Sequence, residues 1–458
     1  MPRLSPAQLF VGSFLAVIGL GTLGFQVLPG LTTGPELSWI DALFTATSAV
    51  CVTGLIVVDT AEFFTVWGQA YVLLLIQIGG LGIISFTSII LVALGQRLSL
   101  RTESVAAGAA QLMPEIDTRR LLRSVFLFTF AVEAAGALLL YACWVPRLGW
   151  GGAVWPSIFH AVSAFCNAGF STFSDSLMGF QTNLPLLAVV MLLVIVGGIG
   201  FLTLEELSLW WRSQPERRSD APRRRFRLST HSQLVLLTTA GLVVAGGVAF
   251  TLIEWRHALA DLPTGARLVN GLFASVTTRT AGFNTINYGT AHPSTNFLTV
   301  ILMTIGGSPG STAGGIKTTT FALLGLVAFS RLRGLPTTNV FGRTVPETTV
   351  SRAIGLFVLS VGLMTAVVLA FTVTDLPGPF AAGTPHEGFF AFLFEAVSAF
   401  NTVGLSMGAT GDLSGAGQWT TILAMFIGRV GPLTFAAALA RESSGGDFRY
   451  AYEDVMVG

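Results

Sequence analysis

Four short stretches of the chain share one pattern: an apolar run, then small or hydroxyl residues, a glycine, and Leu or Phe. Subtracting the positions of these glycines gives intervals of 115, 113 and 122 residues. Glycine lets a backbone approach an ion closely, and rings of backbone carbonyls replace the water shell of the ion in potassium channels. The pattern therefore predicts one ring of four loops whose carbonyl groups bind a cation. The predicted ion-binding residues are Val52, Thr53, Gly54, Asn167, Ala168, Gly169, Thr280, Ala281, Gly282, Thr402, Val403 and Gly404.

A packing role is the alternative explanation for each of these glycines, because glycine is common where membrane helices touch. That explanation would be preferred for a single loop. It is weaker for four loops at near-equal spacing, each of which lies between a short apolar run and a long one. A repeat with a fixed long interval favours four similar units around one axis.

A broken helix is predicted at residues 306–319, where the sequence reads GGSPGSTAGGIKTT. So much Gly, Ser and Pro cannot continue a helix, and non-helical backbone at membrane depth has to line a cavity or be surrounded by protein. Ile316 breaks the spacing of a phosphate-binding GxxxxGK[ST] loop. We interpret the stretch as a flexible loop below the ring that obstructs ions. The predicted gate residues are Gly306, Gly307, Ser308, Pro309, Gly310, Ser311, Thr312, Ala313, Gly314, Gly315, Lys317 and Arg429.

Arg429 lies where the other three repeats have glycine. A charge at mid-membrane costs at least about 2.5–3.5 kcal/mol on insertion scales, so it is a functional candidate. Facing the pore, it would repel cations and limit flux. Alternatively, it forms an ion pair with a buried acid such as Glu133 or Glu395. Arg279, three residues before a ring glycine, is expected to tie its loop to the surroundings from behind.

The composition is that of a polytopic membrane protein. Hydrophobic residues make up 52% of the 458 and charged residues 11%, against roughly 25% charged in soluble domains. Three cysteines provide no disulfide framework. Packing behind the loops is the preferred role for Cys51 and Cys166, and a paired or metal-binding role is the alternative. No nucleophile–base set or metal-ligand cluster is present and the five histidines are scattered, so we expect no enzyme activity.

The elements that must position the loops follow from segment lengths. Each quarter has two apolar segments near the roughly 20 residues needed to span, and between them a run of 10–12 residues that fits a re-entrant helix. The predicted fold is an all-α polytopic membrane protein with four pseudo-repeated helix–pore-loop–helix units around one central pore, and eight spanning helices. The predicted units are repeat 1 (1–96), repeat 2 (97–212), an Arg-rich linker (213–230), repeat 3 (231–334), repeat 4 (335–440) and a tail (441–458).

Arginine placement predicts the orientation. In this topology 19 arginines lie at the repeat junctions, in the linker and at the termini, whereas only Arg147, Arg256 and Arg267 lie on the opposite side. The positive-inside rule places the junctions, the linker, the tail and both termini in the cytoplasm, and hence the protein in the cytoplasmic membrane. The linker is interpreted as a solvated topology determinant. The alternative is a contact surface for a cytosolic partner or anionic lipid headgroups.

With these residues placed, the chain resembles the Trk/Ktr/HKT superfamily of potassium transporters. The resemblance covers nearly the whole chain and rests on the four glycine loops, the 306–319 stretch and Arg429. Without extra spanning helices before repeat 1, it is most similar to the Ktr-type membrane subunit. Glycine in all four loops matches the potassium-selective pattern of the superfamily.

The resemblance implies potassium uptake, with K⁺ as the substrate bound at the ring carbonyls and no covalently bound cofactor. It also implies a homodimeric subunit among membrane lipids, controlled by a cytosolic RCK-type ring that carries the nucleotide. Symport and activation by Na⁺ are typical of Ktr relatives, and we expect no nucleic-acid partner. The alternative function is an ion-coupled secondary transporter of a small solute, since those folds contain broken helices.

Overall fold

The computed structural model describes residues 6–82, 118–212, 228–375 and 385–439. These residues are predominantly α-helical, and their one sheet is a two-stranded antiparallel hairpin of Asn339–Val340 (β1) and Arg343–Thr344 (β2). The helices are α1 Pro6–Val27, α2 Trp39–Val50, α3 Thr60–Phe63, α4 Val66–Gly82, α5 Thr118–Gly152, α6 Val154–Phe165, α7 Leu184–Ile199, α8 Phe201–Arg212, α9 Thr230–Glu254, α10 Thr264–Thr277, α11 Pro293–Thr304, α12 Thr318–Leu332, α13 Glu347–Thr374, α14 Pro385–Phe400, α15 Gly415–Val430 and α16 Pro432–Leu439.

Four of these helices, α1, α5, α9 and α13, are long and apolar enough to cross a membrane, and the bent pair α7 and α8 would make a fifth crossing. Their apolar side chains point outwards as a lipid-facing surface requires. Leu138 on α5 is 70% exposed and Leu252 on α9 is 71% exposed. The helical, multi-pass character predicted from composition is confirmed. The count of eight spanning helices stays a prediction.

A short buried helix packs against each long one: α2 on α1, α6 on α5, α10 on α9 and α14 on α13. The short helices begin and end within three residues of the predicted re-entrant runs. At 12 to 16 residues they fall short of the roughly 20 residues needed to span. Their C-terminal halves are buried except for the partly buried Val162, Leu272 and Leu393, so each points its carbonyl end into the protein.

The second apolar segment of three quarters is broken rather than continuous. α7 ends before Gly200, whose φ of 94° and ψ of 137° are not helical, and α8 leaves at 102° to α7. Gly431 separates α15 from α16 in the same way, with φ 91°. The continuous helices expected for the apolar segments 184–211 and 418–440 are therefore wrong at Gly200 and Gly431, because glycine at these points ends the helix. In the third quarter, α11 ends at Thr304 and α12 begins at Thr318, so the break predicted at 306–319 is present.

Several predictions concern residues outside the described ranges. The linker 213–230 is described only from residue 228 onwards, and the tail 441–458 lies beyond the last described residue. Residues 83–117, where repeat 1 meets repeat 2, are also outside. The predicted cytoplasmic orientation depends largely on arginines in these ranges.

Candidate functional site

The glycines of the four loops are neighbours in space. All four have positive φ, between 71° and 89°, which L-residues with a Cβ rarely adopt. A Cβ built on Gly54 would lie 2.3 Å from the carbonyl oxygen of Ala168, and one built on Gly404 would lie 2.1 Å from that of Thr53. The first loop therefore contacts both the second and the fourth.

The remaining two contacts close the ring. A Cβ built on Gly169 would lie 2.8 Å from the Cα of Gly282, and one on Gly282 would lie 2.7 Å from the carbonyl oxygen of Val403. The loops thus meet in the order first, second, third, fourth, first. We call Gly54, Gly169, Gly282 and Gly404 the glycine ring. At each of its positions a side chain would collide with the next loop.

The residue two places before each glycine is also left-handed. Val52, Asn167, Thr280 and Thr402 have φ of 54°, 59°, 70° and 51°. Such a conformation is a genuine outlier for β-branched residues; strain of this kind costs about 1–3 kcal/mol per residue and gathers at functional sites. In the first, second and fourth loops this residue closes a Schellman-type helix end: in the first, the Val52 N–H bonds to the Ala49 carbonyl and the Thr53 N–H to the Ser48 carbonyl. Glycine usually takes this position, so the ring loops differ from an ordinary helix end in having a side chain there and a second positive φ at the glycine two residues later.

Hydroxyl groups of the short helices fasten the loops from behind. The Ser48 Oγ donates to the carbonyl oxygen of Leu55 at 2.7 Å and accepts from the Gly54 N–H at 3.1 Å. Ser163, Thr277 and Ser398 make corresponding bonds in the other loops. The sequence reasoning missed these four residues. The signal was available, since a serine stands six residues before the glycine in three of the four loops.

The carbonyl groups of the ring loops are left free. Within the described residues, no hydrogen bond is donated to the carbonyls of the twelve predicted ion-binding residues. All twelve residues are buried except Gly169 and Gly404, which are partly so. Buried backbone carbonyls are nearly always paired, so these oxygens have lone pairs with which the loops could coordinate a dehydrated cation.

A polar cavity of about 260 Å³ lies against the ring. All four ring glycines line it together with the side chains of Asp59, Ser171, Asn284, Ser406 and Thr410. The lining gives an arriving cation carboxylate, amide and hydroxyl oxygens on one side of the ring. The cavity is thus a suitable entrance for a hydrated cation.

The 306–319 loop lies on another side of the ring. Its base is closed by a bond from the Gly306 N–H to the Ile316 carbonyl at 2.9 Å. A Cβ built on Gly314 would lie 2.0 Å from the Thr402 Oγ1, so the loop packs directly against a ring residue. The Lys317 Nζ donates to the Ala313 carbonyl at 2.7 Å. The predicted gate residues therefore form one compact, buried plug.

Arg429 reaches this plug from α15. Its Nη1 donates to the carbonyl oxygen of Thr312, and its side chain is buried, with 6% of its area exposed. Neither proposed acid contacts it: Glu133 accepts from the Gln77 amide at 3.0 Å, and Glu395 accepts from Ser406 and Thr410. Among the described residues, the predicted ion pair with Glu133 or Glu395 is therefore not formed.

Arg279 extends away from its own loop. It is 8% exposed, and its Nη1 contacts the Thr239 carbonyl of α9 at 3.5 Å. The prediction that it ties the third loop to the surroundings from behind is consistent with this contact.

The comparisons with known proteins agree with this geometry. The TrkH family model, described as a cation transport protein, matches residues 13–446. The Potassium/sodium uptake protein NtpJ of Enterococcus hirae is 37% identical over 100% of this chain and 98% of its own length. The Ktr system potassium uptake protein B of Bacillus subtilis is 37% identical over 100% of this chain and 97% of its own length. The crystal structure of the Potassium Transporter TrkH from Vibrio parahaemolyticus has the same fold, with a TM-score of 0.71 at 19% identity over 94% of this chain and 83% of that one.

Proposed function

The chain belongs to the TrkH family of cation transport proteins, whose members here are potassium uptake proteins and not enzymes, and we propose that it takes up K⁺ through the glycine ring. The single observation that carries this proposal is the closed ring with its free carbonyl groups. K⁺ is large enough to be held by several carbonyl oxygens at once, in place of its water shell. The carbonyl ends of the short helices add a negative field at the same place.

Four units around one pore account for this ring. Each unit consists of a long helix, a short buried helix, a glycine loop and a second helix, so eight segments in total would cross or enter the membrane. The arginine distribution supports a cytoplasmic position for the junctions and both termini. The chain would then lie in the cytoplasmic membrane with the polar cavity outside and the 306–319 loop on the inner side of the ring.

The 306–319 loop is the proposed gate. It fills the path below the ring, and two cationic groups, the Lys317 ammonium and the Arg429 guanidinium, bind its carbonyls. A permeating K⁺ would meet both backbone and positive charge there. Conduction therefore requires the loop to move.

A secondary transporter of a solute remains the second candidate, because its fold class contains broken helices and three second helices are broken here. The broken end of α7 is occupied, however, since the carbonyls of Gly197 and Gly198 accept from the N–H groups of Thr312 and Ser308. Protein, and not a solute cavity, fills this break. Solute-stimulated ion flux would favour the second candidate.

The proposal also includes how the protein is assembled and regulated. The word "system" in the names of the Ktr relatives agrees with a membrane subunit that works with a partner. From the resemblance to the Ktr-type subunit, we propose a homodimer and a cytosolic RCK-type ring, which would carry the nucleotide. Na⁺ would act as an activator or a coupled ion. Potassium rescue of an uptake-deficient bacterium, with and without Na⁺ and a co-expressed RCK-type partner, tests uptake and both dependences together.

Replacing Gly54 by Ser tests the ring. The new Cβ would lie 2.3 Å from the Ala168 carbonyl oxygen and would displace it, so K⁺/Na⁺ discrimination should fall about tenfold, equivalent to about 1.4 kcal/mol. The measurement is competitive K⁺ and Na⁺ uptake into proteoliposomes. Gly34→Ser is the matched control, because nothing lies within 4 Å of a Cβ there. Equal selectivity of the two variants would remove Gly54 from the ion path.

Deleting Ser311–Gly314 tests the gate. Removing these residues opens the path below the ring, so the K⁺ uptake rate should rise several-fold in a folded variant. Uptake is measured in the same proteoliposomes, and the melting temperature reports folding. A folded deletion variant with the wild-type rate would show that this loop is not the gate.

A further inference from the structure

Thr312 uses every polar group that it has to connect the 306–319 loop to other repeats. Its N–H donates to the Gly197 carbonyl at 3.2 Å, and its hydroxyl lies 3.1 Å from the same oxygen and 3.2 Å from the carbonyl oxygen of Phe165. Its own carbonyl accepts from Arg429. The residue is 1% exposed, so none of these bonds can be replaced by water.

The methyl group of Thr312 faces a third neighbour. A Cβ built on Gly80 would lie 3.9 Å from the Thr312 Cγ2, which places the side chain in van der Waals range of α4. Thr312 therefore belongs to repeat 3 and contacts repeats 1, 2 and 4.

Of the two carbonyl oxygens near the Thr312 hydroxyl, that of Phe165 depends on it more. One hydroxyl has one proton to donate, and the Gly197 carbonyl already accepts the Thr312 N–H. Phe165 is the last residue of α6, where helix carbonyls lack partners within the helix. The carbonyls of Val162, Ser163 and Ala164 accept from the three residues that follow the helix. The Phe165 carbonyl, two residues before Asn167, depends on Thr312.

The equivalent carbonyls lack such a partner. Glycines of α4 and α15 approach the carbonyls of Val50 and Phe400 as Gly197 approaches that of Phe165, with a built Cβ at 1.9, 1.6 and 1.9 Å respectively. Within the described residues, only the Phe165 carbonyl of these three receives a side-chain hydroxyl. The second ring loop is therefore the one that the 306–319 loop holds.

We propose that Thr312 is a positioning residue that latches the gate loop to the end of α6, so that release of the gate also releases the second ring loop. The inference rests on the proposed function and adds a specific coupling between gate and ring. When the loop moves, the Phe165 carbonyl loses the only donor that it has among the described residues, and the backbone before Asn167 is no longer held there.

The test compares Thr312→Val, which keeps the shape but removes the hydroxyl, with Thr312→Ser, which keeps the hydroxyl. Thr312→Val should raise K⁺ uptake about fivefold, equivalent to the roughly 1 kcal/mol of one hydrogen bond, and should lower K⁺/Na⁺ discrimination at least twofold. Thr312→Ser should resemble the wild type in both measurements. Thr365→Val is the matched control, because its hydroxyl bonds within α13 at 2.8 Å on an exposed face.

Arg429→Ala separates the latch from general loosening of the loop. It removes a bond to the Thr312 carbonyl but leaves the hydroxyl on Phe165 whenever the loop is seated, so uptake should rise while discrimination should fall less than in Thr312→Val. A Thr312→Val variant that matches Thr365→Val in both rate and selectivity overturns the inference. Should Thr312→Val not fold, Thr312→Ala against Thr312→Ser makes the same comparison with a smaller side chain.

The proposed gate and the proposed latch can be disproved separately. If deletion of Ser311–Gly314 raises uptake but Thr312→Val does not, the gate stands and the latch is wrong. If neither variant changes uptake in folded protein, the proposed gate is wrong and the latch is wrong with it.

Discussion

Ser48 holds the backbone of the first ring loop at two points, one N–H and one carbonyl. The hydroxyl is fully buried, so Ser48→Ala would leave both groups unsatisfied at a cost of about 1–3 kcal/mol. The freed carbonyl of Leu55 would let the loop rotate, and K⁺/Na⁺ discrimination should fall several-fold. Competitive uptake in proteoliposomes measures it. Ser208→Ala, which loses only an exposed bond to the Glu205 carbonyl, is the control, and equal selectivity of the pair would contradict the role of Ser48.

For individual residues, the sequence predicts the positions of the glycine ring better than the contacts of Arg429 with the 306–319 loop. Glycine has a clear physical reason to recur where loops crowd around an axis, so its four positions are informative alone. Arg429 is different. It donates a hydrogen bond to a backbone carbonyl, and every residue has such a group. No side-chain pattern in the sequence therefore identifies Thr312 as the residue that accepts this bond. The buried acids Glu133 and Glu395 were plausible partners by charge, but they are satisfied by uncharged neighbours.

Gly200 joins two elements at the point where the loop of another repeat enters. Its φ of 94° and ψ of 137° lie in a region that costs a residue with a side chain about 1–3 kcal/mol. A Cβ there would also lie 2.5 Å from the Pro309 carbonyl oxygen. Gly200→Ala should therefore push the 306–319 loop from the α7 end and raise K⁺ uptake several-fold.

The control for this variant is Gly241→Ala in α9, where a Cβ meets nothing within 4 Å. Rates are compared at equal amounts of folded protein, since alanine improves an ordinary helix position by about 1 kcal/mol. A Gly200→Ala rate no higher than that of Gly241→Ala would show that the bend does not bear on the gate.

The short helices and the break at 306–319 were predicted closely, but the breaks at Gly200 and Gly431 were not. A short apolar run that ends in a glycine loop has a length and a boundary that the sequence displays directly. The second segments remain apolar on both sides of Gly200 and Gly431, so composition predicts one helix. Glycine permits the break, and at Gly200 another repeat occupies it, since the Ser308 and Thr312 N–H groups pair with carbonyls at the open end of α7.

Across the whole molecule, four loops share the glycine ring, whereas the contacts of the 306–319 loop, the proposed gate, are unevenly distributed among the predicted repeats. Repeat 3 supplies the loop, repeat 4 supplies Arg429, and repeat 2 supplies the carbonyls that the loop binds. Repeat 1 contributes Gly80, where a Cβ would lie 2.9 Å from the Cys166 Sγ of repeat 2 and 3.9 Å from the Thr312 Cγ2. The sequence predicted this inequality from the third and fourth repeats. The contribution of the second repeat could not be predicted from the sequence, because it consists of backbone carbonyl groups, which every residue has.

Because the glycine ring closes within one polypeptide, each proposed pore belongs to a single chain, and the number of chains sets the number of pores in an assembly. In channels assembled from identical subunits, one defective copy alters every pore into which it enters. Here each chain would carry a complete pore of its own, and a pair of chains would carry two. A mixed pair with one blocked member would then retain half of the conductance, and a change in one loop would alter one side of a pore without altering the other three.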